Sequence, residues 1–304
     1  MKIIIAGGTG FLGSALGQAL GDQHEVVVLT RRSGQTSHRR LVAWAPTGGT
    51  GPWASEIDGA DAVVNLAGES IAKRRWSERQ KRRILDSRVD ATRSLVAAIA
   101  AAAHPPAVFV SGSAVGYYGP LGDEIATETT RAGSDFLADV CVRWEDEASR
   151  ASSAATRVVC IRTGLVLDRS GGALPQMLAP FRIGAGGPVG SGTQYWPWIH
   201  LHDWVELVQW TILSADLTGP INATAPNPVV NREFARTLAR VLHRPAVLVA
   251  PAFALRLLMG EMADSLLLSG QRAVPAKAQR LGFAFQYLQL EEALRAIFSA
   301  PKRD

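Results

Sequence analysis

Cysteine is nearly absent from this chain. Cys141 and Cys160 are the two in 304 residues, and they are not spaced as CxxC. That excludes a disulfide framework and a cysteine zinc site. Long apolar runs are also missing: the Ala-rich stretch 95–103 falls far short of the roughly 20 residues a bilayer span needs. The opening run 3–6 enters glycines at once, too soon for a signal-peptide core. A cytoplasmic protein without a membrane partner is the expectation. There is no internal repeat, and no G-x-S-x-G elbow supports Ser-His-Asp hydrolysis. Charge of one sign is in mild excess, net +5, part of it in the stretch from Lys73-Arg74-Arg75 through Lys81-Arg82-Arg83. Only Trp76 interrupts that stretch as an aromatic and no reader motif is present, so a nucleic-acid module is not supported. A solvated helix face and a face toward a phosphorylated ligand are the readings left open.

What is present points to a folded α/β chain. Hydrophobic content of 47% and charged content of 19% are ordinary for a globular protein. Strand-length runs rich in Val and Ile at 3–6, 25–29, 62–66, 107–111 and 158–162 alternate with helical patterns at 11–20, 78–103 and 134–149. Such alternation implies βαβ units with right-handed crossovers, hence a doubly wound, buried parallel sheet. After residue 170 the texture changes. Gly184 to Gly192 form a glycine-rich loop, followed by Trp196-Pro197-Trp198. A helix over 203–215 capped by Asp203, a helix over 231–242 capped by Asn231, a strand at 246–250, a helix from Pro251 and a last helix over 290–298 are expected. The division is therefore 1–170 for a nucleotide-binding domain and 171–304 for a smaller C-terminal α/β lobe, with later segments free to return to the sheet. A ligand cleft would lie between them.

The first strand runs directly into Gly7-Gly8-Thr9-Gly10-Phe11-Leu12-Gly13, which opens the first helix. In that position the pattern is a Rossmann-type dinucleotide turn. Gly7 permits the tight turn, Gly10 lets a pyrophosphate approach the backbone, and Gly13 lets helix and strand pack closely. An NAD-specific chain would carry an acidic residue near the end of the second strand; this one has Thr30-Arg31-Arg32-Ser33. Guanidinium groups suit a 2′-phosphate, so Arg31 and Arg32 favour NADP(H). Leu66, Ala67 and Gly68, which end a later strand, are placed beside the adenine and ribose.

With these residues the chain resembles the extended short-chain dehydrogenase/reductase superfamily of nucleotide-sugar epimerases and dehydratases. The resemblance also rests on Asn65-Leu66-Ala67-Gly68, Ser111-Gly112-Ser113-Ala114-Val115-Gly116-Tyr117-Tyr118-Gly119, Arg162-Thr163-Gly164-Leu165 and Ile199-His200-Leu201-His202-Asp203. Trp196-Pro197-Trp198 and the tail around 267–285 are similar to an atypical branch of epimerase-like proteins with a small C-terminal domain. The resemblance implies cofactor contacts from Ser111, Arg162, Gly164 and Leu165, and a homodimer through helices of the first domain. It also implies a Tyr-x-x-x-Lys pair on the helix after the serine strand. At that place the chain reads Phe136-Leu137-Ala138-Asp139-Val140, and a phenyl ring carries no proton. The usual asparagine of the preceding long helix is replaced by Arg88.

Ser113 of that tetrad remains, followed by Tyr117 and Tyr118. Two readings stay open. In one, an NADP(H)-dependent oxidoreductase or epimerase of a small carbonyl, hydroxyl or nucleotide-sugar-like substrate has relocated its acid–base group. Tyr117 is then the phenol, Ser113 orients the substrate oxygen, and Glu69 or Asp139 supplies a carboxylate. In the other, NADP(H) orders a binding surface without turnover. Trp198, beside the glycine-rich loop, and His200 are the candidate substrate contacts. His200, His202 and Asp203 suggest a metal site, but His200 and Asp203 match the superfamily's histidine–aspartate segment, and beyond that pair no third and fourth ligand is in view, so no metal is expected.

Overall fold

The computed structural model describes residues 1–31, 34–35 and 39–299. Seven parallel strands form the body: β1 (Lys2–Ala6), β2 (Glu25–Thr30), β3 (Arg40–Ala43), β4 (Ala62–Asn65), β5 (Val108–Ala114), β6 (Arg157–Thr163) and β7 (Gly219–Ala223). They lie in the order β7-β6-β5-β4-β1-β2-β3, and the two-residue strand Gly34–Gln35 pairs antiparallel at the β3 edge. Ile3 pairs with Val26 on one side and Ala62 on the other. Strand order thus reverses at β1, and the crevice between the carboxyl ends of β1 and β4 is where such sheets bind ligands.

Period-2 alternation decides which face each side chain serves. Ile3, Ile5, Val26, Val28, Val64, Val110 and Ile161 point to one side. There they bury Leu16 and Leu20 of α1 (Phe11–Gly21) and Trp204, Leu207 and Val208 of α5 (Leu201–Leu213). Ile4, Val27, Leu29, Val63 and Phe109 point to the other. They meet Ala91, Leu95 and Ile99 of α2 (Glu78–Ala101) and Ala148 of α3 (Phe136–Ser149). Both faces are covered, which is why the strands read as unbroken apolar runs. α2 begins at Ser77, whose side chain accepts from the Gln80 N–H, and α3 at Asp135, which accepts from Ala138 N–H.

A second core joins α4 (Leu174–Arg182), α6 (Asn231–Leu242) and the C-terminal helix Leu290–Ser299 around Leu178, Trp198, Phe234 and Leu294. Two later segments return to the first body: α5 packs beneath the sheet and β7 extends it beside β6. Several local expectations are corrected. His200 caps α5, its Nδ1 accepting from the His202 N–H, while Asp203 turns inward to accept from the backbone N–H groups of Gln286 and Tyr287 at 2.9 and 3.0 Å. Asn231 is the first helical residue rather than the cap; its Oδ1 accepts from Val189 N–H. Segment 246–250 forms no strand and makes one bridge, Val189 to Ala250. The helix after it, α7, spans Ala252–Met259. No helix among the described residues is long and apolar enough to cross a membrane.

Candidate active site

The turn after β1 is built so that only glycine fits. Gly7 has φ +78°, and a Cβ there would stand 2.7 Å from the Leu66 carbonyl. A Cβ on Gly13 would stand 2.4 Å from the Gly7 oxygen. Gly10 caps α1 in an extended conformation with no side-chain hydrogen bond, and the first turn carries no acidic residue. The N–H groups of Phe11, Leu12 and Gly13 therefore lack an intrahelical acceptor at the positive end of the helix. An anion fits there. Thr9 is exposed at the mouth of this turn, and Arg31 is exposed at the end of β2 with no ion pair among the described residues. Arg32 lies outside the described residues.

The neighbouring turn after β4 is held from α2. Asn65 donates to Thr92 Oγ1 at 2.9 Å and accepts from Ala67 N–H, while Ser87 Oγ accepts from Glu69 N–H at 2.9 Å. This leaves Leu66 and Ala67 half-buried and Gly68 exposed beside the glycine turn. Between these anchors sits Arg88, whose Nη1 donates to the Glu69 and Ile84 carbonyls, both at 2.9 Å. Its guanidinium lies 5.2 Å from the Trp144 ring and so close to Gly68 that a Cβ there would meet it at 3.1 Å. No carboxylate among the described residues pairs with it, and burial pulls its pKa down. A desolvated cation with no ion-pair partner among the described residues stands beside Gly68 and Glu69.

Beyond β5, Ser113 Oγ donates to Glu145 Oε1 at 2.6 Å. Glu145, on α3, also accepts from Arg162 Nε and Nη2, both at 2.8 Å. Arg162 Nη1 reaches the Tyr118 hydroxyl at 3.1 Å, and that hydroxyl donates to Asn222 Oδ1 at 2.6 Å. Burial pushes the Tyr118 phenol up to about 12, so it stays protonated inside this network. Tyr117 differs. Its ring lies face-on to the Arg162 guanidinium, 3.4 Å from the centroid, and edge-on to Tyr118 at 5.4 Å. Its half-buried phenol has no hydrogen-bond partner among the described residues. At the first turn of α3, Phe136 packs edge-on to Trp76 at 5.0 Å under the ammonium of Lys81, and Val140 is buried.

A glycine cradle, an uncapped helix terminus and a serine–tyrosine turn thus share the carboxyl edge of one sheet. Residues 3–222 match the NAD dependent epimerase/dehydratase family. The chain belongs to that family. Residues 250–297 match a domain of unknown function, DUF1731. An epimerase family protein of Mycobacterium tuberculosis is 43% identical over 294 residues, 96% of each chain. The epimerase family protein YfhF of Bacillus subtilis is 39% identical over 306 residues, 99% of each. The crystal structure of the human epimerase family protein SDR39U1 with NADPH has a TM-score of 0.90 at 35% identity, covering 98% of this chain and 99% of that one. A UDP-galactose 4-epimerase structure aligns with a TM-score of 0.73 at 18% identity, covering 98% and 97%, a likeness of fold alone. The resemblance and the fold class drawn from the sequence both hold.

Within this epimerase-family frame, several residues expected to contact ligands are held by partners inside the protein. Trp198 is 0% exposed and its indole N–H donates to the Asn227 carbonyl, so it fills the second core and presents nothing to a substrate. His200 is buried against Tyr287, ring centroids 4.0 Å apart, and serves as the α5 cap. Burial lowers its pKa to about 4, which keeps the imidazole neutral. Arg162 spends four hydrogen bonds on Glu145, Tyr118 and the Glu128 carbonyl, and its guanidinium backs the Tyr117 ring. The Ser111 hydroxyl is buried on the Gly112 carbonyl. Gly164 is a close-packing position, where a Cβ would stand 2.5 Å from the Pro197 oxygen, and Leu165 leans on the second core. Asp139 pairs with Arg143 on the exposed side of α3, away from Ser113. Glu145 was not anticipated from sequence. An acidic residue beside Cys141 and Trp144 on the buried face of α3 was the available signal.

Proposed function

We propose that this protein binds NADP(H) in the crevice between β1 and β4. In this reading it is a reductase- or epimerase-type enzyme of a small carbonyl, hydroxyl or nucleotide-sugar-like substrate, with Tyr117 as its proton-transferring phenol. The observation that carries the reading is the pairing of Tyr117 with Tyr118. One phenol is buried and tied, the other stands unbonded on a fixed guanidinium platform next to Ser113. The NADPH in the human relative's crystal supports the choice of cofactor, as does Arg31 where a carboxylate would select NAD.

Gly7, Gly10 and Gly13 admit the diphosphate, and the free N–H groups of α1 bind it. Arg31 and Arg32 meet the 2′-phosphate. Bound NADP(H) supplies or accepts the hydride. The chain's own residues handle the proton: Tyr117 gives one to a carbonyl oxygen during reduction and takes one from the hydroxyl in the reverse direction. Ser113, with its hydrogen committed to Glu145, offers its oxygen to a substrate hydroxyl. Arg88 stands in for the missing lysine. It stacks on Trp144, one helical turn beyond Val140 on the same face of α3, and so brings a cation from α2 to the place where α3 has none. Its free N–H groups would hold the nicotinamide ribose.

Absorbance at the NADPH band, followed across a carbonyl and sugar-nucleotide panel, tests the reading. Tyr117→Phe is expected to keep NADPH affinity and to lower turnover by about 10²-fold or more. Unchanged turnover would remove Tyr117 from the mechanism. The absence of a tyrosine and lysine at 136 and 140 favours one second reading, an NADP(H)-responsive binding protein; tight NADPH binding with no consumption and no isomerised product across the panel would select it.

A further inference from the structure

The C-terminal lobe exposes an apolar strip that the fold does not use. α7 contains no buried residue. Phe253 and Leu257, one turn apart on a single face, with Leu258 beside them, stand out from it. Val247-Leu248-Val249 precede it, and Ile183 at the end of α4 joins them; these seven side chains are between 54% and 82% exposed. They account for seven of the twelve large apolar side chains exposed among the described residues. Ile183 belongs to the same surface because the loop after α4 runs against the 245–250 segment. Gly184 abuts Pro245, and a Cβ on Gly187 would collide with the Leu248 carbonyl.

The charges around the strip that have no ion-pair partner among the described residues are of one sign. At the carboxyl end of α7, Arg75 Nη1 donates to the Leu257 carbonyl at 3.4 Å and its guanidinium lies against Gly260, with exposed Lys73 and Arg74 adjacent in the chain. At the other end, Arg182 and Arg244 are exposed beside Ile183 and Pro245. None of these five cations is in an ion pair among the described residues, whereas the nearby carboxylates are answered: Glu261 by Lys81 and Asp264 by Arg256. A contiguous apolar patch marks an interaction surface. An apolar face of Phe and Leu rimmed by Lys and Arg fits the boundary between acyl chains and anionic headgroups. A second copy fits poorly, because a two-fold pairing of a strip with cations at both ends sets cation against cation.

We propose that α7 and the preceding 247–249 segment form a peripheral docking face for an anionic membrane surface. The strip inserts among the acyl chains and the five cations meet headgroup phosphates. This requires no membrane span, and it stands apart from the reading of the cofactor crevice.

Flotation of the full chain with vesicles of phosphatidylcholine, alone or mixed with phosphatidylglycerol, tests it. Binding to the mixed vesicles should exceed binding to the neutral ones by about tenfold or more. It should weaken when salt rises from about 0.1 M to about 1 M and the Debye length shrinks from about 10 to about 3 Å. Phe253→Glu with Leu257→Glu should abolish it while NADPH affinity and the thermal midpoint hold. Equal binding to both vesicle types, or binding indifferent to the double substitution, would overturn the proposal. So would a concentration-dependent dimer in light scattering that the substitution disperses, since a second copy would then cover the strip. Phe253→Trp, which keeps the face apolar, gives an independent readout: its fluorescence should shift blue with phosphatidylglycerol vesicles, and no shift would also overturn the proposal.

Discussion

Replacing Glu145 by Gln removes one charge from a buried network without changing its shape. Arg162 has a side chain only 3% exposed, and Glu145 answers it through two hydrogen bonds at 2.8 Å. Glutamine keeps one acceptor oxygen but turns an NH₂ group toward donors, either Arg162 or Ser113. Burial alone works against the guanidinium charge; the hydrogen bonds and charge of Glu145 reverse that and hold its pKa above the ordinary value. Leaving such a cation uncompensated costs about 3–5 kcal/mol. With a midpoint shift of roughly 2–4 °C per kcal/mol for chains somewhat shorter than this one, melting should fall by roughly 6–20 °C. The partner experiment is Glu145→Leu with Arg162→Met, which removes both charges and should recover much of the loss. Thermal unfolding of the parent, each single variant and the double closes the cycle. A Glu145→Gln variant within about 1 kcal/mol of the parent, or a double variant equal to the sum of the singles, would refute the claim that this pair is energetically coupled.

Two further outcomes follow from named side chains. Arg88→Met should weaken NADPH by about tenfold or more, the loss of a charge-assisted contact, yet leave 2′-phospho-ADP unaffected because that fragment lacks the nicotinamide and its ribose; equal weakening of both would remove Arg88 from the nicotinamide ribose. His200, whose folded pKa of about 4 lies below the ordinary 6.5, favours the native state fully above pH 6.5. That contribution is lost as pH falls toward 4, where the unfolded chain has already taken up its proton, and amounts to about 3 kcal/mol at most. His200→Asn keeps a capping acceptor, so its melting temperature should drop less between pH 7 and pH 4.5 than the parent's; an equal drop would show that other groups set the acid limb.

The sheet and the phosphate turn were legible because their signals are local. Val and Ile runs of strand length, and glycines at positions 7 and 13 where a Cβ would collide, act within a few residues of where they stand. The residues misassigned from sequence have roles set by partners far away in the chain. Trp198 and His200 sit beside a glycine-rich loop in sequence, but α6 and Tyr287 bury them. Arg162 matches a family segment, yet its work depends on Glu145 and on Tyr118. Asp203 and Asn231 carry the right chemistry for helix caps, but backbone donors at 286, 287 and 189 claim their oxygens instead. Strand β7 was hidden because Gly219 and Pro220 open it and only β6 completes it.

The central claim is that the crevice between β1 and β4 selects NADP(H) through the arginines after β2. Calorimetric titration of the parent and of Arg31→Ala with Arg32→Ala, each against NADPH and NADH, tests it most directly. The parent should prefer NADPH, and the double substitution should weaken NADPH by roughly 10- to 100-fold, the worth of a charge-assisted hydrogen bond or two, while NADH changes little. Equal weakening of both cofactors, or a parent without preference, would contradict the account.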